Sequence, residues 1–447
     1  MKKKIVTLGL LVVVICCATL VAEKRIIPSS GDNPEPYCCC RCQGRLRDDL
    51  PLFDSGAVAD DFTPGFYQSS EFMIGRVAVG IILPESDGRI DPSTEDWTED
   101  ERALVRSEIA AALEWWTARE PKAHLTFICD DGTIAPITMS YEPITHGLND
   151  QELWIAEVME KKGYRGSSYF EQVRCYNSDL RDAYDADWSF IIFVVDSSED
   201  GDDMFADGRF AYAYLGGPFT VVTYGNNGYG SQDLDAVIAH EIGHIFLALD
   251  QYHYAYQPCE STSGYLDVEN QNSRYGECLL DEPSIMRGGT QPYYEGAVDE
   301  YARGQVGWRD SDSDGILDPV DTSLSFTCKR VILAEESDDV LLYTGKVSDT
   351  PFPSPHRADL TINTIAAIQY RLDGGKWEDA ETDGSLDSHT EAFTVTLEVP
   401  ISETHILSLR AANSASVEKS IELFTNSSAP GSCHIYLPLV LLTASGF

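Results

Sequence analysis

Twelve residues near the middle of the chain, Ala239-His240-Glu241-Ile242-Gly243-His244-Ile245-Phe246-Leu247-Ala248-Leu249-Asp250, constrain the fold more than any other stretch. With Val237 and Ile238 before them, they are apolar enough that a helix here has to be buried. Residues four apart on a helix share one face, about 5–6 Å apart at Cβ. Two imidazoles so placed can converge on one tetrahedral metal ion. Glu241 then projects near the coordination position left open. There a carboxylate can take a proton from water activated by the metal and pass it to a leaving amine. The plainer alternative is a helix with two surface histidines. It fits poorly with the apolar neighbours and with a chain that holds nine histidines in all.

The elements before this helix supply a surface to bury it against. Val77, Val79, Ile81 and Ile82 read as a strand, and Thr98 with Glu101 as a capping box. Val105, Ile109, Ala112, Leu113 and Trp116 follow at helical spacing. Leu125–Cys129 reads as a second strand and Asp150–Lys161 as a helix. Trp188–Asp196 is an almost unbroken apolar run, the mark of a strand covered on both faces. Phe210–Leu215 and Phe219–Tyr224 add strands, and Ser231 and Asp233 offer caps for the histidine helix. The expected fold class is α+β, a mixed twisted sheet with packed helices.

Two histidines leave a catalytic metal short of a third protein ligand. Asp250 lies ten residues past His240. On a straight helix it would stand about 9 Å beyond His244 and rotated off the face. It joins the site only if the helix ends and the chain turns back. His253, the nearest substitute, needs such a turn too.

These residues resemble the metzincin zinc metallopeptidases. Their pattern is HExxHxxGxxH, or Asp at the last position, followed by a tight methionine turn. His240, Glu241, His244 and Asp250 fall on the ligand and base positions, and Ser284-Ile285-Met286-Arg287 looks like the Met-turn. The resemblance covers roughly residues 72–310. It implies a zinc-dependent endopeptidase that hydrolyses protein or peptide substrates, with Glu241 as base, the histidine helix as active-site helix and Met286 beneath the metal. Leu249-Asp250-Gln251-Tyr252 also resembles a run in the metzincin-like IgA-specific peptidases. One position departs: the turn glycine of the pattern is Leu247, and a leucine at positive φ costs about 1–2 kcal/mol. A gluzincin-like site would instead draw Glu295 or Glu300 from a later helix. The competing function is a non-catalytic surface or adhesion protein with a vestigial metal site.

A second motif runs from Asp310 to Asp321. Asp310, Asp312, Asp314, Asp318 and Asp321 occupy positions 1, 3, 5, 9 and 12 of a calcium loop, with Gly315 at the sharp turn and the Ile316 carbonyl at position 7. It resembles an EF-hand, dockerin or thrombospondin-type loop and implies structural Ca2+. The acidic stretch Asp200, Asp202, Asp203 and Asp207 reads as a solvated loop. Beyond about residue 325, short alternating strands read as an all-β sandwich, immunoglobulin- or fibronectin-like.

The N-terminus, three lysines and then the apolar run Ile5–Val21, reads as a signal peptide over residues 1–22. Its alternative is an uncleaved anchor. Residues 23–70 read as a Cys/Pro-rich arm or pro-segment, 71–309 as the peptidase domain, 310–321 as a calcium-binding linker, 326–427 as the sandwich and 428–447 as a tail. Secretion, with cell-surface attachment through the C-terminal domain or tail, is the expected location. Export permits disulfides, and chain order suggests Cys129–Cys175, Cys259–Cys278 and Cys328–Cys433. The cluster at Cys38, Cys39, Cys40 and Cys42 is compatible with a soft metal, a cross-link or local disulfides. A net charge of −41 repels phosphate backbones, so no nucleic-acid partner is expected.

Overall fold

The computed structural model describes residues 62–130, 135–334, 339–400 and 403–425. Of these, Gly65–Trp308 form one compact unit, and Phe62–Pro64 with Arg309 onward form a second.

The first unit is α+β. In chain order it contains β1 (Arg76–Ile82), β2 (Pro84–Ser86), α1 (Glu99–Thr117), β3 (Thr126–Asp130), β4 (Ile137–Met139), α2 (Gln151–Lys161), α3 (Tyr169–Tyr184), β5 (Trp188–Val195), β6 (Ala211–Ala213), β7 (Phe219–Thr223) and α4 (Leu234–Ile245). Five strands make one sheet in the order β3-β1-β5-β7-β6. β1 is parallel to β3 and β5, β5 is parallel to β7, and β6 closes the edge antiparallel. β2 pairs with β4 apart from this sheet.

All eight residues of β5 are buried, as a continuous apolar strand between two helical layers requires. On one face, Trp154 and Val158 of α2 and Val173 and Leu180 of α3 pack with Ile191, Phe193 and Val195. On the other, Phe190 meets Phe246, just past α4. The capping box of α1 forms as expected: Thr98 and Glu101 each accept from the other's backbone N–H. α1 fixes α4 through Trp116 Nε1, which donates to the Ala239 carbonyl at 2.8 Å. After α4 come β8 (Thr262–Ser263), β9 (Val268–Glu269), α5 (Gln291–Glu295) and α6 (Glu300–Gln305).

The second unit contains β10 (Ser323–Ala334), β11 (Asp339–Thr350), β12 (Ile365–Leu372), β13 (Glu378–Asp379), β14 (Glu381–Thr382), β15 (Thr390–Glu398), β16 (Ile406–Asn413) and β17 (Glu418–Phe424). They form two antiparallel sheets, β10-β11-β15-β14 and β13-β12-β16-β17. Leu341, Tyr343, Phe393 and Val395 of the first share one core with Ile368, Leu407 and Leu409 of the second. That is the inward-facing alternation of a sandwich.

Three expectations change. Residues 65–70 are folded rather than part of an arm: Ser69 and Ser70 are buried, and the Ser69 carbonyl accepts from Ser189 N. The acidic loop from Asp310, read as a calcium-binding linker, belongs to the second unit. Cys259–Cys278 is formed, but Cys129–Cys175 is not: Cys175 is committed to a disulfide in which Cys129 is not the partner. Cys328 is disulfide-bonded too. Its suggested partner Cys433, the leader, the Cys38–Cys42 cluster and residues 428–447 lie outside the described residues. Among the described residues, no helix is long and apolar enough to cross a membrane.

Candidate metal centre

α4 is buried along its whole length except at Asp235, so its two histidines face protein rather than water. Their Nε2 atoms converge on one oxygen of Asp250: His240 Nε2 is 3.1 Å and His244 Nε2 3.2 Å from Asp250 Oδ1. The ligand atoms of all three residues lie within 4.8 Å of one another.

Asp250 reaches this position because the helix stops. Leu247 takes φ 75°. Its N–H bonds to the His244 carbonyl at 2.9 Å, and the Ala248 N–H to the Gly243 carbonyl at 2.9 Å. That pair of bonds is a Schellman ending, built on leucine where glycine is usual. The Leu247 side chain is 2% exposed, and its burial offsets the backbone strain. The reversed chain is then pinned. Gln251 N donates to the Met286 carbonyl at 2.8 Å, and Asn270 Nδ2 to the Asp250 carbonyl at 2.9 Å. The Gln251 amide donates to Asp299 and accepts from Asn272.

The ring orientations favour metal binding. His240 Nδ1 is 2.8 Å from the Ile285 carbonyl, and His244 Nδ1 2.8 Å from the Ala248 carbonyl. A carbonyl has no proton to give, so each Nδ1 carries the hydrogen and each Nε2 presents a lone pair. Both Nε2 atoms, Asp250 Oδ1 and both Glu241 oxygens are buried without a hydrogen-bond partner. Buried polar atoms are rarely left so. Three of them, the two Nε2 atoms and Asp250 Oδ1, face one another, and two imidazoles with a carboxylate suit a divalent transition ion.

Electrostatics follow from this crowding. Burial pushes Glu241 up to about 8, helped by Asp250 and opposed by His240. Burial also opposes charge on His244 and Asp250. Even so, the Asp250 carboxylate lifts His244 above its ordinary value, and the two imidazoles hold Asp250 well below the usual carboxylate range.

Met286 sits in the turn Ile285–Arg287, capped by Ser284 Oγ, which accepts from Met286 N. Its sulfur lies against Gly243 of α4, under the helix between the two ligands. A cleft beside the site is lined by Tyr229, Ala236, Val237, His240, Glu241, Gly288, Gly289 and Thr290.

The alternative ligands are elsewhere. His253 is exposed, with Nδ1 3.1 Å from the Arg274 carbonyl. Glu295 is exposed and accepts from Gln291, and Glu300 is exposed at the start of α6. None joins the His240–His244–Asp250 group. Residues that sequence reasoning did not single out complete the surround: Tyr252, whose hydroxyl donates to Asp250 Oδ2 at 3.2 Å, and the Gln251–Asn270–Asn272 bracket.

In the acidic loop, Asp310, Asp312 and Asp314 come within 4.8 Å of one another. Asp318 is not part of that group and accepts from Ser311 N and Oγ. Ile316 contributes an N–H to Asp314 Oδ1. Asp321 stands near enough to these acids that, after its own burial, they raise it above the usual carboxylate range.

No protein-family model matches the chain, and no curated protein does. Among solved structures it is similar over 25% of its length to the sulfane dehydrogenase SoxCD of Paracoccus pantotrophus, at 13% identity and a TM-score of 0.17. The matched part spans 32% of that chain. A likeness this slight bears on neither fold nor activity.

Proposed function

We propose that this chain is a zinc-dependent endopeptidase of the metzincin type, exported from the cell and acting on proteins or peptides. One observation carries the reading. His240 Nε2, His244 Nε2 and Asp250 Oδ1 face a common point, with the fully buried Glu241 next to them and free at both oxygens. A zinc ion held there supplies Lewis acidity that activates water and polarises a carbonyl. Glu241 takes the proton from the attacking water and delivers it to the departing amine. Asp250 and the carbonyls of Ile285 and Ala248 keep the imidazoles aimed. The cleft lined by Val237, Gly288 and Gly289 borders His240 and Glu241.

The reading of a vestigial site drew on Leu247 and loses that support, because Leu247 turns the chain as glycine would. In the second unit, we propose that Asp310, Asp312 and Asp314 bind structural calcium.

The test is Glu241→Gln. Casein digestion stops while zinc stays bound at one per chain, and 1,10-phenanthroline stops turnover of the unaltered protein. Full activity in the variant excludes the mechanism. A wild-type chain that holds no zinc and digests nothing favours the adhesion reading.

A further inference from the structure

Resting on the metallopeptidase reading, the geometry points to Tyr252 as a positioning residue that makes Asp250 a one-oxygen ligand and so keeps a coordination position open.

The two oxygens of Asp250 are in different company. Oδ1 faces both imidazoles, at 3.1 and 3.2 Å, and has no hydrogen-bond donor. Oδ2 accepts from the Tyr252 hydroxyl at 3.2 Å. The carboxylate is fully buried, away from bulk solvent. Tyr252 is placed from both directions. Before it, Gln251 is fastened to the Met286 carbonyl, to Asp299 and to Asn272. Across the site, its ring lies 6.4 Å from the His240 ring, tilted by 34°, and packs beside Gly288.

The consequence is one of coordination number. A carboxylate with both oxygens free can take up a small divalent ion through both. In a site with two histidines, that second oxygen fills the place a catalytic metal keeps for water or substrate. A hydroxyl donating to Oδ2 makes that oxygen a poorer ligand and holds the carboxylate plane with Oδ1 forward. Partners of this kind set ligand orientation, and their loss costs about 10- to 100-fold in metal affinity or activity.

The experiment uses the full chain, stripped of metal and reloaded with zinc or cobalt(II), comparing wild type with Tyr252→Phe, which removes only the hydroxyl. Expected for the variant are a visible cobalt(II) absorption band altered in shape and intensity, zinc affinity changed by about 10-fold or more, and a fall in kcat with KM little changed. A cobalt(II) band and zinc affinity identical to wild type overturn the proposal. Should the variant not fold, a crystal structure of the zinc-loaded wild type decides: Asp250 bound through Oδ1 alone supports it, and binding through both oxygens overturns it. Failure of the wild type to take up either metal is a different result, which sinks the metallopeptidase reading itself.

Discussion

The sulfur of Met286 lies so close to the backbone of Gly243 that a Cβ there would stand 2.5 Å from it. The glycine between the two histidines is therefore the contact that lets the turn at Met286 pack against the histidine helix.

Gly243→Ala should push Met286 away, and the Ile285 carbonyl that orients His240 moves with it. Overpacking of this kind costs about 1–3 kcal/mol. Urea denaturation should show that loss and equilibrium dialysis a weakened affinity for the proposed zinc ion. Replacing Met286 by a smaller side chain in the same protein should restore part of both. Because alanine also gains about 1 kcal/mol of helix propensity over glycine inside α4, a Gly243→Ala variant more stable than wild type by that full amount would disprove the close contact.

Leu247 allows a test of opposing terms. Its positive φ costs about 1–2 kcal/mol, whereas truncating a buried leucine costs about 2–5 kcal/mol. Burial is the larger, so Leu247→Gly should be less stable than wild type. Leu247→Ala loses the packing and keeps the strain, so it should be less stable still, by about 1 kcal/mol. A glycine variant more stable than the alanine variant is the signature of a left-handed helix end. The reverse order would rule it out.

Glu95 and Glu142 are 3% and 2% exposed, and burial, followed by the neighbouring Asp196 and other acids, pushes each up to about 7 from 4.5. The folded chain thus binds more protons than the unfolded chain between those values. Their contribution is fully present below pH 4.5, falls as pH rises towards 7, and is flat above. Glu142→Gln mimics the protonated form and can still accept from Thr94 N and Glu95 N. Melting curves should coincide near pH 4.5, with the variant melting higher at pH 8. A variant less stable at pH 8 would refute this account.

For the acidic loop, calcium at a hundredfold excess over its dissociation constant should stabilise the fold by about 2.7 kcal/mol. The paired variant Asp312→Asn, Asp314→Asn should lose that response while keeping zinc. A calcium-induced melting shift that survives in the paired variant would place the ion elsewhere.

What could be read in advance was what is local. The histidine spacing, the capping box at Thr98 and the unbroken apolar run of β5 each need only neighbours in sequence. The C-terminal strands were legible from their alternation. α3 was not, because the polar Gln172 and Asn177 sit among its buried residues, although Ser168 and Glu171 mark its start. The left-handed turn at Leu247 was opaque because side-chain burial overrides backbone preference, and burial is a tertiary fact. The Gln251 bracket was out of reach for a similar reason, since its partners Asn272 and Asp299 lie 21 and 48 residues away. In the acidic loop the spacing was visible, but nothing in it says that Ser311 captures Asp318.

The two imidazoles take their aim from different parts of the chain, four and 45 residues away. Once the helix and its reversal exist, His244 is already set. His240 becomes set only when the distant Ile285 segment arrives beneath it. A cation that needs both rings can therefore lodge firmly only late in assembly, and it would then act as a latch on a nearly finished fold. Stripping it should loosen the Met286 segment first and leave the helix itself in place.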